Sequence, residues 1–353
     1  MRCSRCSLHS FLPGGAARAA GSLARPFDRR RREVLGGILV GALALLWVDA
    51  APAQVDYPTR AITIVVPLSP GGTADILARV VAEQLREAFA VSVVVENRPG
   101  GAGGLVGTES FFRAPPDGYT LLCAPQLTFS IANALHRKLT FDVSMIEPVS
   151  VLATYPAVLL VRPDLPVDST AALIAFAKDR PGTLNYGSQG VGQIGHLAGE
   201  QLNHMAGIKM VHIPFRGSAP AITALLGGQI DVLLDFLPAT KPHIEAGKMK
   251  LLAVAARDRL KAFPTIETIN EVLPGFEADT WMAIAAPPGT SGDIAGKVSD
   301  AIRQAFQKPD IKARIEGLDV EPRGTTPAEM RELIRQSAER WTPLIKDAKI
   351  AID

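Results

Sequence analysis

The apolar positions of this chain recur with two periods that alternate along most of its length. Ile62, Ile64, Val65 and Val66 form a short β-branched run, as expected of a strand buried on both faces. Pro67, Pro70, Gly71 and Gly72 end it, and Ile76, Leu77, Val80, Val81, Leu85 and Phe89 then repeat at helical spacing. The helix is expected to begin near Thr73, with Thr73 as its N-cap and Asp75 in its first turn. The pattern repeats downstream. Strands are predicted at 91–96, 119–124, 149–152, 157–161, 210–213, 229–235, 251–255 and 281–286, and one ends at Asn185-Tyr186. Helices are predicted at 105–113, 169–178, 196–206, 218–226, 291–307 and 327–346, with Ser218 as the N-cap of the fourth. This alternation argues for doubly wound α/β units with mostly parallel sheets.

The first fifty residues stand outside the pattern. A basic run at Arg29–Arg32, an apolar run at Val34–Val48 and the small residues Ala51-Pro52-Ala53 are the parts of a cleavable export signal. The apolar run is shorter than the ~20 residues that span a bilayer as a helix. Arg31-Arg32 also leaves a twin-arginine route open. Cleavage after Ala53 leaves 54–353, expected to be two domains: 54–156 with 280–353 as one lobe, and 157–279 as the other.

Charge changes the picture once the signal is set aside. The full chain has 37 basic and 35 acidic residues; eight of the former and three of the latter precede Gln54, so the remainder carries 29 and 32, a net of −3. Nucleic acid is therefore not an expected partner. Cys3 and Cys6 fall in the signal, and Cys123, in an apolar run, is expected to be a small core residue.

Three strand–turn–helix junctions carry the candidate chemistry: Ser69–Asp75, Gly187–Gln193 and Phe215–Ser218. Each places small residues at a helix N-terminus, where unshielded N–H groups and the helix dipole favour an anion. In open α/β sheets such junctions gather at the carboxyl ends of strands. The candidate ligand-binding residues are Ser69, Gly71, Gly72, Thr73, Asp75, Thr128, Ser188, Gln189, Gly192, His196, Arg216, Gly217, Ser218 and Asp235. Arg216 is the cation best placed to help an anion. Asp75 and Asp235 could each take a ligand's donor or cap local backbone. The glycines at 101, 103 and 107 do not make the dinucleotide fingerprint, and no acid follows to hold a ribose. Ser188 is not in a nucleophile elbow, so a hydrolase using Ser188 and His196 is the weaker reading. His204 and His212 show no metal-ligand spacing and are expected on the surface or in the core. No metal or cofactor is expected.

The blocks YPTRAITIVVPLSPGGTADILAR, VVVENRPGGAGGLVG, APPDGYTLL, LNYGSQGVGQIGHLAGE and HIPFRGSAPAITALLGGQIDVLLD, in this order, resemble the Bug-type solute-binding proteins of tripartite tricarboxylate transporters. The resemblance spans Tyr57–Asp353. It implies a periplasmic, monomeric, type II binding-protein fold whose two lobes close on a ligand about a hinge. It further implies that Ser69–Asp75, Gly187–Gly192 and Phe215–Ser218 line the cleft and hold a ligand carboxylate through backbone groups and bridging water. The expected partners are a small carboxylate and the membrane subunits of such a transporter; delivery to a sensor kinase is the alternative. The family often has Phe or Ala at Leu68-Ser69, Pro at Thr73 or Ala74, and a different loop at Leu127–Ser130. These positions face the ligand's distal end, so the solute does not transfer from any relative.

Overall fold

A computed structural model describes residues 56–100 and 104–352; the expected export signal lies outside them. Two sheet regions share one long strand. On one side the order is β2 (Val93–Asn97), β1 (Ile62–Val66), β3 (Thr120–Pro125), β10 (Asp279–Ala286) and β4 (Glu147–Val161). On the other it is β4, β7 (Val232–Phe236), β5 (Asn185–Ser188) and β6 (Val211–Pro214), with β8 (Lys250–Val254) also against β4. Two-residue strands β9 (Glu267–Thr268) and β11 (Glu321–Pro322) pair with β8 and β4.

The two apolar runs expected around 149–161 are thus one 15-residue strand. Tyr155-Pro156 does not break it, because the strand changes partners there. Asp279 pairs with Pro156 from one side, while Phe236 pairs with Ala157 from the other. β1, β2 and β3 are mutually parallel, as are β5, β6 and β7; β10 runs antiparallel to its neighbours β3 and β4, and β4 runs antiparallel to β7. The sheets are therefore mixed, with parallel outer strands.

The helices sit where the apolar periodicity requires. α1 (Thr73–Phe89) buries Leu77, Val80, Val81 and Leu85 against Ile62 and Ile64. The helix α2 (Leu105–Phe112) follows β2, and two short helices, α3 (Gln126–Ser130) and α4 (Ala132–Leu135), follow β3. α5 (Thr170–Asp179), α6 (Ile194–Ala206), α7 (Ser218–Leu226), α8 (Leu237–Glu245) and α9 (Ile269–Val272) surround the second sheet. α10 (Gly292–Phe306) and α11 (Pro309–Glu316) return to the first. The final helix α12 (Pro327–Asp347) spans two clusters: Met330 packs with Phe111 and Trp281, whereas Trp341 and Ile345 pack with Leu159, Leu197 and Leu234. Among the described residues, no helix is long and apolar enough to cross a membrane. Cys123 is buried, its thiol donating to the Ala74 carbonyl at 3.6 Å, as expected of a core residue.

Candidate functional site

Strand register decides where the three junctions lie. Pro125, the last residue of β3, is level with Met282 of β10, which is level with Ala153 of β4. Phe236, the last residue of β7, is level with Ala157. The carboxyl ends of both parallel sets therefore converge on the middle of β4, from opposite sides. Phe236 packs against core clusters on both sides, and its ring meets Tyr155 edge-on at 5.0 Å. All three junctions leave strands at this convergence.

The helices starting there share one property. α1, α2, α3, α6, α7 and α8 each follow a parallel strand, and none receives a side-chain cap. Helices α5, α9, α10 and α12 are capped by Ser169, Thr268, Ser291 and Thr326. An uncapped first turn leaves backbone donors to solvent or to an anion. Thr73 and Ser218 are not the caps they were expected to be. The N-caps are Gly72 and Gly217, one residue earlier, which have no side chain to offer.

In the first junction, Ser69, Pro70, Gly71 and Gly72 are exposed and Thr73 is half-buried. Asp75 is buried and turned inward: it accepts from Gly71 N at 3.0 Å and from Arg79 Nε at 3.0 Å. Burial would lift its carboxyl, but Arg79 and the Gly71 amide outweigh it and hold the group below the usual carboxylate range. Asp75 thus fixes the turn. Asn97 and Gly104 do the same and escaped the sequence reading. Asn97 Nδ2 donates to the Leu68 carbonyl at 3.1 Å. A Cβ on Gly104, at φ +81°, would stand 2.4 Å from the Pro67 carbonyl oxygen. Gly104 and Gly107 therefore serve close approach to Pro67, at the end of β1.

In the second junction, Ser188 is buried and its Oγ lies 2.7 Å from His212 Nε2. The imidazole of His196 does not touch Ser188; its Nδ1 accepts from Gly192 N at 3.0 Å, and its ring stacks on His212 at 3.7 Å. Burial pushes His196 down to about 3, with His212 adding to the effect, and pushes His212 down to about 4. Both rings are neutral near pH 7. No carboxylate bonds either ring among the described residues, and Ser188 is enclosed, so the Ser188–His196 hydrolase arrangement is not present. His212, expected to be an ordinary surface or core residue, is instead the partner of Ser188.

Asp235 ties the second and third junctions together. From the end of β7 its Oδ1 accepts from Gln189 Nε2 (2.6 Å), Ser218 Oγ (2.7 Å) and Phe236 N (2.7 Å). Gly217 N also donates to the Gln189 carbonyl at 3.0 Å. Burial pushes the Asp235 carboxyl up to about 6 despite these bonds. Arg216 is exposed and forms no ion pair among the described residues. Thr128, on α3, is buried with its hydroxyl unpartnered. Gly192, at φ +75°, packs against Leu135 and Ile352. A separate cavity lined by Met249, Lys250, Phe263 and Ile266 lies at the other end of the second sheet, where Lys250 is level with Val161. It shares no residue with the junctions. No group of three or more His, Cys, Asp or Glu capable of holding a metal occurs among the described residues.

The family model described as the tripartite tricarboxylate transporter family receptor matches residues 77–350. Protein BugT of Bordetella pertussis is 34% identical over 305 residues, covering 84% of this chain and 92% of that protein. A solved structure of Rpa4515 from R. palustris with adipate is 34% identical at a TM-score of 0.76, covering 84% of this chain and 99% of that one. MatC from Rhodopseudomonas palustris, with bound malate, is 29% identical at a TM-score of 0.72, covering 82% and 100%. These matches show that the chain belongs to the tripartite tricarboxylate transporter receptor family.

Proposed function

We propose that this protein is a non-enzymatic periplasmic receptor that captures a small carboxylate between two lobes and delivers it to the membrane subunits of a tripartite tricarboxylate-type transporter. The lobes are 54–156 with 280–353, and 157–279; the receptor acts as a monomer and uses no cofactor. The observation that carries this reading is the set of uncapped helix N-termini at the converging strand ends, against side-chain caps on four of the six other α-helices among the described residues. Ser69, Gly71, Gly72 and Thr73 supply the carboxylate's seat on one lobe. Gln189, Gly192, Arg216 and Gly217 face it from the other, with Ser188 and Ser218 behind them, bonded to His212 and Asp235. His196, Asp75 and Asp235 hold these turns in shape, and Thr128 borders the cleft.

The magnitudes suffice. Helix termini contribute roughly 0.3–1 kcal/mol each, and hydrogen bonds to a charged group roughly 1.5–3. A few of each, less ordering costs, reach the roughly −8 kcal/mol of micromolar affinity. The adipate and malate bound to the two relatives are the same class of solute. Native mass spectrometry of the exported protein with a thermal-shift screen of small carboxylates tests this. Saturable binding of an unchanged carboxylate is expected; silence across the panel, or turnover of the solute, overturns it.

A further inference from the structure

Six buried side-chain oxygens lack a hydrogen-bond partner among the described residues: those of Asp75, Thr128, Thr170, Gln189, Gln201 and Asp235. Four of them belong to elements at the strand-end convergence. Asp75 Oδ1 has Arg79 at 3.0 Å as an ion-pair partner. Gln189 Oε1 is covered by the first turn of α6, 2.6 Å from where a Cβ on Gly195 would stand. Asp235 Oδ2 has neither. Its residue is fully buried, and all three donors converge on the other oxygen. A bare carboxylate oxygen in a buried position is costly unless something donates to it. Tyr155, whose ring meets Phe236 beside it, also makes no hydrogen bond through its hydroxyl among the described residues.

Asp235 also alters the electrostatics of its corner. It lies under the N-terminus of α7, where Ser218 donates to it, so the positive end of that helix already faces a carboxylate. The seats left for a solute's anion are the N-termini of α1 and α6. A second carboxylate brought to Asp235 would meet like charge in a buried place.

Building on the receptor reading above, we propose that the solute carries, besides its carboxylate, an N–H or O–H donor, and that Asp235 Oδ2 receives that donor. The class is a carboxylate bearing an amide, ammonium or hydroxyl group. A symmetrical dicarboxylate is disfavoured. Asp235 is in this sense the specificity residue of the second lobe.

The test is calorimetry on the full chain with three probes of matched length: butanoate, succinate and its monoamide succinamate. Succinamate is expected to bind at least about tenfold tighter than succinate, about 1.4 kcal/mol. Asp235→Asn keeps an acceptor for Ser218 and Gln189 and turns the bare oxygen into a donor, so the ratio should fall or invert. Equal binding of succinate and succinamate by the parent protein overturns the proposal and leaves the receptor reading standing, since a resident water would then complete Asp235. So does an unchanged ratio in Asp235→Asn. If that variant fails to fold, the parent's own ratio decides. No binding of any carboxylate overturns both readings.

Discussion

Gly72 shows what one residue contributes. It is an exposed N-cap at φ −81° and ψ 169°, an ordinary extended conformation, and a Cβ there meets only the Ser69 carbonyl oxygen at 3.8 Å. Its lack of a side chain is therefore not required by the backbone. On the receptor reading, it leaves the turn open to a solute's carboxylate. Gly72→Val should change stability by no more than about 0.5 kcal/mol, as for other exposed substitutions. Binding of the carboxylate probes should weaken at least about tenfold, by calorimetry. Full affinity in this variant would remove the first turn from the site. Gly104 contrasts with it: its positive φ and the Pro67 carbonyl both demand glycine, for reasons internal to the fold. Both residues read as glycine in a glycine-rich turn, and only the surroundings separate their roles.

At the scale of elements, the corner made by β5, β6, β7 and α7 buries titratable groups whose shifts have opposite consequences. Asp235 titrates at about 6 when folded, against an ordinary 3.8. A carboxyl raised by folding contributes most stability below its unfolded value and loses it as pH rises through the folded one. The two-unit difference is worth about 3 kcal/mol. Asp235→Asn should therefore be more stable than the parent at pH 8 by up to about that amount. The gain should shrink below pH 6 and vanish near pH 4, in urea melts at each pH. His196 and His212 act the other way. Held at about 3 and about 4 against an ordinary 6.5, they contribute full stability above pH 6.5 and lose it as pH falls towards 4. With two such rings against one carboxyl, the parent should lose stability between pH 6.5 and 4. His212→Gln, which can still bond Ser188, should flatten that loss. An unchanged acid slope would place the sensitivity elsewhere. The opposing shifts exist only because the sheet stacks one ring on the other and seals Asp235 under α7.

Across the whole molecule, the β-strands are not the only bridges between the two sheets. The C-terminal segment after α12 returns to α4. Ile352 N donates to the Leu135 carbonyl at 2.8 Å, and the Ile352 side chain lies 3.2 Å from where a Cβ on Gly192 would stand. The loop of the second junction is thus braced by the far end of the chain. Ile352→Ala should lower stability by about 2 kcal/mol in urea melts, within the range for a buried isoleucine. It should also weaken carboxylate binding through the Gly192 loop. Unchanged affinity alongside reduced stability would separate the tail from the site.

Much of this was legible in the chain itself. Periodicity placed most strands and helices within a few residues, since apolar spacing reflects which face is buried. The three junctions stood out because proline and glycine punctuate strand ends whatever the fold around them. Tertiary structure decided the rest. It made one strand of two apolar runs, because a change of partners at Tyr155-Pro156 lets a proline sit inside a ladder. It paired Ser188 with His212, 24 residues away, where local spacing pointed to His196. It moved two caps from Thr73 and Ser218 to the preceding glycines and set Asp75 against the Gly71 amide. Above all it left one oxygen of Asp235 bare while crowding three donors onto the other. Local spacing specifies which backbone conformations are cheap along the chain. Which polar atoms meet, and which are left for a solute, depends on register between strands that the sequence separates by tens of residues.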